Sequence, residues 1–358
     1  MLSLIKEKGN EMKRVIGILL ALFLVLSLGA CGDSNQPVET EAPDLVADDA
    51  VEEPEYVDEE EEEAEEVPIP DSLLVRALTS DEMRAFEAEH AVTAEQERYL
   101  AFGAFVPTNN QESIRVFAMG ESGNHAVRIL ANSWSVTDQE SALVQLENLS
   151  GGRGQSPVAD DIFHTLVLNG RFEPLDAIEL FMTGFDFAGL EHVYRSAVSR
   201  AERMEDEFEL LFAMVGAPEE DREEVFELFV FMQFADRINR GLEAYQGAMA
   251  LLMESFGFTE EELLSIPTLA AWDYGRTAII ARYGYAAGYV EEDVAWAHLK
   301  IAADSAAQTY SSWREFTAAY ILGRALAFGN PSADTRDTLD FLLNHPESAF
   351  QNIAFRVA

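Results

Sequence analysis

Asp273 and Arg276 stand three residues apart in the run Trp272-Asp273-Tyr274-Gly275-Arg276, a spacing at which two side chains meet on one face of a helix. A carboxylate and a guanidinium so placed have two plausible uses. They can line a polar pocket in which the planar fork of arginine recognises a carboxylate or phosphate. Trp272 and Tyr283 would then stand nearby, Arg324 would point in from another helix, and Trp313 would belong to the same cluster. Alternatively they form a buried ion-pair network that fixes how helices pack.

Other patterns with chemical potential fall short. No two of the six histidines share a helical metal spacing, and no HExxH occurs. Asp160 and His164 are four apart but lack an evident third ligand. Gly120-Glu121-Ser122-Gly123-Asn124 departs from the strained serine turn of hydrolases at position 124. The stretch Ser150 to Ser156 is glycine-rich but lacks the Lys-Ser/Thr of a phosphate-binding loop, and it reads as the clearest loop in the domain. Acid pairs such as Glu219-Glu220 fall at helix starts, where they complement the positive end of the dipole. The sequence thus offers no catalytic set, no metal site and no cofactor motif. Lys300 reads as a surface residue.

Charge narrows the partners. The 358 residues carry a net charge of -41. Nucleic acid and anionic lipid headgroups both require a positive surface, so neither is an expected partner. Cys31 is the only cysteine, which excludes an internal disulfide or a thiolate metal cluster.

That cysteine carries the address. Lys13 and Arg14 precede the apolar run Val15 to Leu28, and Leu28-Gly29-Ala30-Cys31 follows. This is the layout of a secretory leader, and the tetrad resembles the lipobox of bacterial lipoproteins. The resemblance implies cleavage after residue 30 and lipidation of Cys31. Residues 33–66 then hold 17 Asp or Glu and no Lys or Arg, a composition that repels itself and has nothing to bury. The expected organisation is a signal peptide over 1–30, a lipidated cysteine with a disordered acidic tether over 31–70, and a helical domain over 71–358. The membrane is a partner through the lipid, and the acidic tether could dock cations or a basic protein.

From residue 71 the pattern predicts an all-α fold, a single multi-helix globular domain. Capping boxes, in which Ser or Thr and a Glu or Gln three residues later satisfy each other's backbone amides, read as Thr79–Glu82, Thr93–Gln96, Thr137–Glu140, Thr259–Glu262 and Ser312–Glu315. Gly216, Gly257, Gly288 and Gly329 sit where helices should stop. Residues 221–256 are apolar nearly all round between Val225 and Phe234, which predicts a central helix. Segments 269–287, 291–308 and 312–328 predict a compact three-helix unit. The stretches Ser113 to Ala118 and Ser133 to Val136 are read as helix ends or loops. A short echo between Ser135–Ala142 and Gly288–Ala295 marks either two similar helix starts or a duplicated helical unit.

The C-terminal third carries a spaced series: Trp272 to Arg276, Ala281-Arg282-Tyr283-Gly284-Tyr285, Ala295-Trp296, Ser311-Ser312-Trp313-Arg314-Glu315-Phe316, and Tyr320-Ile321-Leu322-Gly323-Arg324. This series resembles the domain of unknown function family 1266, over about 265–330 and reaching back to about 125 through Trp134. The resemblance implies a helical fold and supplies no reaction. The expected role is therefore a lipid-anchored protein of the bacterial envelope, outside the cytoplasmic membrane, that binds or scaffolds without catalysis. The alternative is an envelope hydrolase with a polar site around Asp273 and Arg276. A solute-binding lipoprotein of the two-lobed α/β kind is disfavoured by the scarcity of strand signals.

Overall fold

A computed structural model describes residues 73–120, 123–329 and 335–356. The leader, Cys31 and the acidic run lie outside the described residues. The described residues within 71–210 and 219–358 form one compact unit. No helix among the described residues is long and apolar enough to cross a membrane.

The fold is all-α. Its helices of ten or more residues are α1 (Gly123–Trp134), α2 (Gln139–Ser150), α3 (Ser156–Thr165), α4 (Glu191–Arg203), α5 (Glu205–Val215), α6 (Arg222–Phe256), α7 (Ala271–Ala286), α8 (Glu292–Thr309), α9 (Trp313–Phe328) and α10 (Thr335–Asn344). Shorter helices fill the intervals. Among the described residues there is no strand, only a single bridge between Ala91 and Val116, within the 113–118 stretch read as a loop.

Local chemistry sets most of the boundaries. Thr93 with Gln96 and Thr259 with Glu262 form the reciprocal boxes expected of them. Ser312 accepts from the Glu315 amide, while the Glu315 carboxylate reaches back to Ser311 instead of Ser312. Two caps sit one residue later than expected. Ser80 caps the helix that Thr79 was expected to start, because the Thr79 hydroxyl bonds back to the Val75 carbonyl. Asp138, whose carboxylate is a stronger acceptor than the Thr137 hydroxyl, caps α2 in a box with Ser141. Hydrogen bonding to Ser141 lowers the Asp138 pKa. Gly257 and Gly329 end α6 and α9 in the left-handed conformation.

The central helix is α7, not α6. Helix α6 is enclosed over only part of its length: Leu228 to Phe231 are all covered, as are Phe234, Tyr245 and Leu252, whereas Phe226 and Met232 are half-buried and Glu223, Glu227 and Asp236 are exposed. Helix α7 is buried from Ala271 to Gly284 except at Tyr274. It packs against α1, α2, α8 and α9, while α6 packs against α4, α9 and the short helix Ala177–Thr183. Gly275 permits this crowding, since a Cβ there would lie 2.5 Å from the Tyr320 ring. Apolarity alone did not single out α7, because four of its buried positions are Asp273, Arg276, Thr277 and Arg282. Buried charges of this kind require partners, and those partners define the site.

Candidate functional site

The N-terminus of α3 leaves backbone N–H groups without carbonyl acceptors, as every helix start does. The local sequence Gly154-Gln155-Ser156-Pro157 supplies no side-chain cap of its own. The acceptor arrives from α7. Asp273, with no exposed surface, takes N–H bonds from Gly154 at 2.8 Å, Gln155 at 3.0 Å and Ser156 at 3.0 Å. The Ser156 hydroxyl in turn accepts from the Asp273 amide at 3.2 Å and donates to the Leu269 carbonyl. The carboxylate therefore sits on the positive end of the α3 dipole, where negative charge is favoured. Gly154 is required by this approach, because a Cβ would meet the Asp273 carboxylate at 2.8 Å.

Arg276 closes the arrangement. Its Nη2 pairs with Asp273, Nη1 donates to the Gln155 side-chain carbonyl at 3.1 Å, and Nε donates to the Trp272 carbonyl at 3.2 Å. Gln155 also accepts from the Trp272 indole at 3.1 Å. The guanidinium lies 4.2 Å from the Trp272 ring centre and 5.5 Å from that of Trp134, within the range of cation–π attraction. Burial lowers the Arg276 pKa, and the Asp273 charge opposes that shift.

Above Arg276 opens a cleft of about 650 Å³. Its walls come from the end of α1, one face of α2, the 153–155 loop and α7, with the exposed Phe328 at the rim. Two backbone irregularities flank it. Ser135, directly after α1, and Gln111, beside the lining residue Asn110, both adopt positive φ, at 53° and 60°. Each costs about 1–2 kcal/mol for a residue that is not glycine. At Ser135 the strain is offset by the helix-ending bond from Val136 N–H to the Leu130 carbonyl, at 3.0 Å.

The structure brings together only part of the expected cluster. Trp272, Arg276 and Tyr283 line the cleft, and Asp273 lies buried behind them. Trp313 does not belong to it. Its indole stacks on Phe350, packs against Phe102 and Phe355, and donates to the Ile353 carbonyl. It starts α9, and it is packed into an aromatic core instead. Arg324 does not line the cleft either; it donates to Thr335 at 3.3 Å. The ion-pair network thus joins α7 to the 153–155 loop and to the first residue of α3. Sequence reasoning missed Trp134, Gln145, Asn148 and Gln155 as lining residues. Two of these were within reach, since Trp134 belonged to the family series and Gln155 to the conspicuous glycine-rich loop.

Other sequence candidates have structural partners. Asp160 accepts from the Thr268 hydroxyl and the Leu269 amide, both at 2.6 Å; burial raises its pKa, and those two bonds oppose the shift. Lys300 is exposed and pairs with Asp304. His298 shares Nδ1 with the Ser150 hydroxyl at 2.9 Å, at the end of α2, and burial lowers its pKa.

The family model described as "Protein of unknown function (DUF1266)" matches residues 129–355, in line with a resemblance that reaches back to about 125. No curated protein and no solved structure matches the chain. Since the match takes in α2, the Ser150–Ser156 loop and α7 together, it covers both halves of the Asp273 network, and the chain belongs to the DUF1266 family.

Proposed function

We propose that this chain is a lipid-anchored envelope protein whose helical domain binds a small ligand in the cleft above Arg276 and does not transform it. One observation carries the reading: Asp273, the carboxylate paired with the arginine of the cleft, is wholly committed to the protein itself. Asp273 accepts three backbone N–H bonds and the Arg276 pair with no surface exposed. A general acid or base must reach the proton it moves, and from this position Asp273 does not. The cleft has the size of pockets that hold small molecules, with Trp134, Trp272 and Phe328 as aromatic surfaces.

The placement in the envelope rests on the leader and on Cys31 in Leu-Gly-Ala-Cys. Two or three acyl chains on that residue would hold the protein stably, and the acidic run would space the domain from the bilayer.

Two experiments test these statements. Bacterial cells fed an alkyne fatty acid should label the wild-type chain and not the Cys31→Ser variant; an unlabelled wild type overturns the anchor. Ser133 is an exposed residue of the cleft, so Ser133→Trp fills the cleft without disturbing the core. A panel of small metabolites should contain compounds that raise the Tm of the wild type and leave that of Ser133→Trp unchanged. Identical responses throughout the panel overturn the binding reading. The hydrolase alternative requires that Asp273→Asn abolish turnover while leaving the fold intact.

A further inference from the structure

The lining of the Arg276 cleft contains Arg153 and Arg276 but no Asp or Glu among the described residues. Acidic side chains make up 65 of the 358 residues, so their absence from this surface calls for a reason. Three other clefts lack this feature. One pairs Arg84 and Arg115 with Glu87 and Glu347, a second sets Glu173 and Asp186 around Arg171, and a third surrounds Arg222 with glutamates. A neutral ligand gives no reason to exclude carboxylates, which serve well as acceptors for hydroxyl groups. An anionic ligand does, because a protein this acidic repels it everywhere else.

The donors point the same way. A guanidinium has five N–H groups, and Arg276 uses three of them on Trp272, Gln155 and Asp273. One N–H on each terminal nitrogen remains. Gln145 and Asn148, which line the cleft from α2, make no side-chain hydrogen bond within the described residues. Arg153 stands at the rim, exposed and paired at 2.9 Å with Glu147, which is not part of the lining. Beside these donors lie the rings of Trp134, Trp272 and Phe328.

We infer that the cleft takes a small oxyanion, a carboxylate or a phosphate monoester, joined to a flat apolar body. The inference rests on the binding reading above and names its ligand class. The oxyanion meets the spare N–H groups of Arg276 and the amides of α2, in the geometry that makes arginine selective for such groups. The apolar body lies along the tryptophan walls.

The test uses the full-length chain labelled with ¹⁵N in its four tryptophan indoles. Trp134 and Trp272 line the cleft, and Trp296 and Trp313 lie outside it as internal controls. The probes are phenyl phosphate and indole-3-acetate as oxyanions, with indole-3-ethanol and N-acetylglucosamine as uncharged counterparts. Both anions, or one of them, should shift the Trp134 and Trp272 signals and leave the controls in place; which one binds separates phosphate from carboxylate. Gln145→Glu, nearly isosteric and half-buried, puts one carboxylate into the acid-free wall. It should weaken the anion about tenfold and leave indole-3-ethanol unaffected, with the control indoles reporting an intact fold. Binding of the uncharged probes alone, or anion binding indifferent to Gln145→Glu, overturns the oxyanion assignment and leaves a binding cleft. If no probe of either kind moves the two cleft indoles, the assignment and the binding reading fall together.

Discussion

Helix α7 carries two buried arginines six residues apart, and they are held in different ways. Arg276 pairs closely with Asp273, and that carboxylate is itself fixed by three backbone N–H groups at the start of α3. Arg282 donates to the carbonyls of Phe117 and Ala118, at 3.4 and 3.1 Å, and sees its carboxylate, Glu112, only at 3.7 Å. Glu112 spends one oxygen on the Tyr283 hydroxyl, while the other has no hydrogen-bond partner. Burial lowers the pKa of both arginines, with the neighbouring carboxylate opposing in each case. Both pairs tie a loop to the same helix, but only the first puts its arginine in the lining of the cleft; the second reaches it through Tyr283, which donates to Glu112. A saturated ion pair can stiffen the floor of a binding site, whereas a loose one serves to hold an irregular segment.

Removing one partner from each pair separates them most strongly. Asp273→Ala leaves Arg276 buried and three N–H groups without an acceptor. It should cost about 3–5 kcal/mol, read as a shift of the urea midpoint. Glu112→Ala leaves Arg282 on its carbonyl acceptors and should cost about 1–2 kcal/mol. Equal losses would erase the distinction between the two sites. Gly154→Ala acts on the first site alone, because its Cβ would press on both Asp273 and Leu149, within 2.9 Å. Crowding of this kind costs about 1–3 kcal/mol, and the same assay reads it.

A smaller effect concerns the end of α2, where the loop to Asp273 begins. His298 is held below the ordinary imidazole pKa by burial, so the folded protein favours its neutral form. The unfolded chain then binds the proton more readily, and stability falls as the pH drops below about 6.5. The loss continues until the folded state also takes up the proton. A Tm measured across this range should decline for the wild type and decline less for His298→Gln; equal slopes would remove His298 from the account.

The helical body was legible in the sequence because its signals are local. Expected segments at 269–287, 291–308 and 312–328 became α7, α8 and α9 with ends displaced by no more than two residues. The cap at Thr137 was misplaced because a stronger acceptor stood beside it, and the one at Thr79 because its hydroxyl turns back to the preceding helix. The Asp273–Arg276 pair was readable for the same reason, being three residues apart on one helix. The partners of Asp273 were not, because they are backbone amides 117 to 119 positions away, and an amide leaves no mark in a sequence. Trp313 and Arg324 were placed in the cluster on a neighbouring helix, but a sequence does not say which face of that helix meets α7. The central position of α7 was also hidden. Its buried Asp, Thr and Arg residues weaken the apolar signal that betrays a core helix, while α6 concentrates its apolar residues between Val225 and Phe234 and is exposed at intervals elsewhere.

Amide hydrogen exchange at Gly154, Gln155 and Ser156 tests the central claim most directly. With Asp273 accepting all three N–H groups, these amides should exchange slowly in the wild type. In Asp273→Asn they should exchange much faster, while the buried α6 amides of Tyr245 and Leu252 remain protected. Fast exchange at the three loop amides in the wild type, or no change on substitution, would mean that the carboxylate is free to face the cleft, and the account of a committed Asp273 would be wrong.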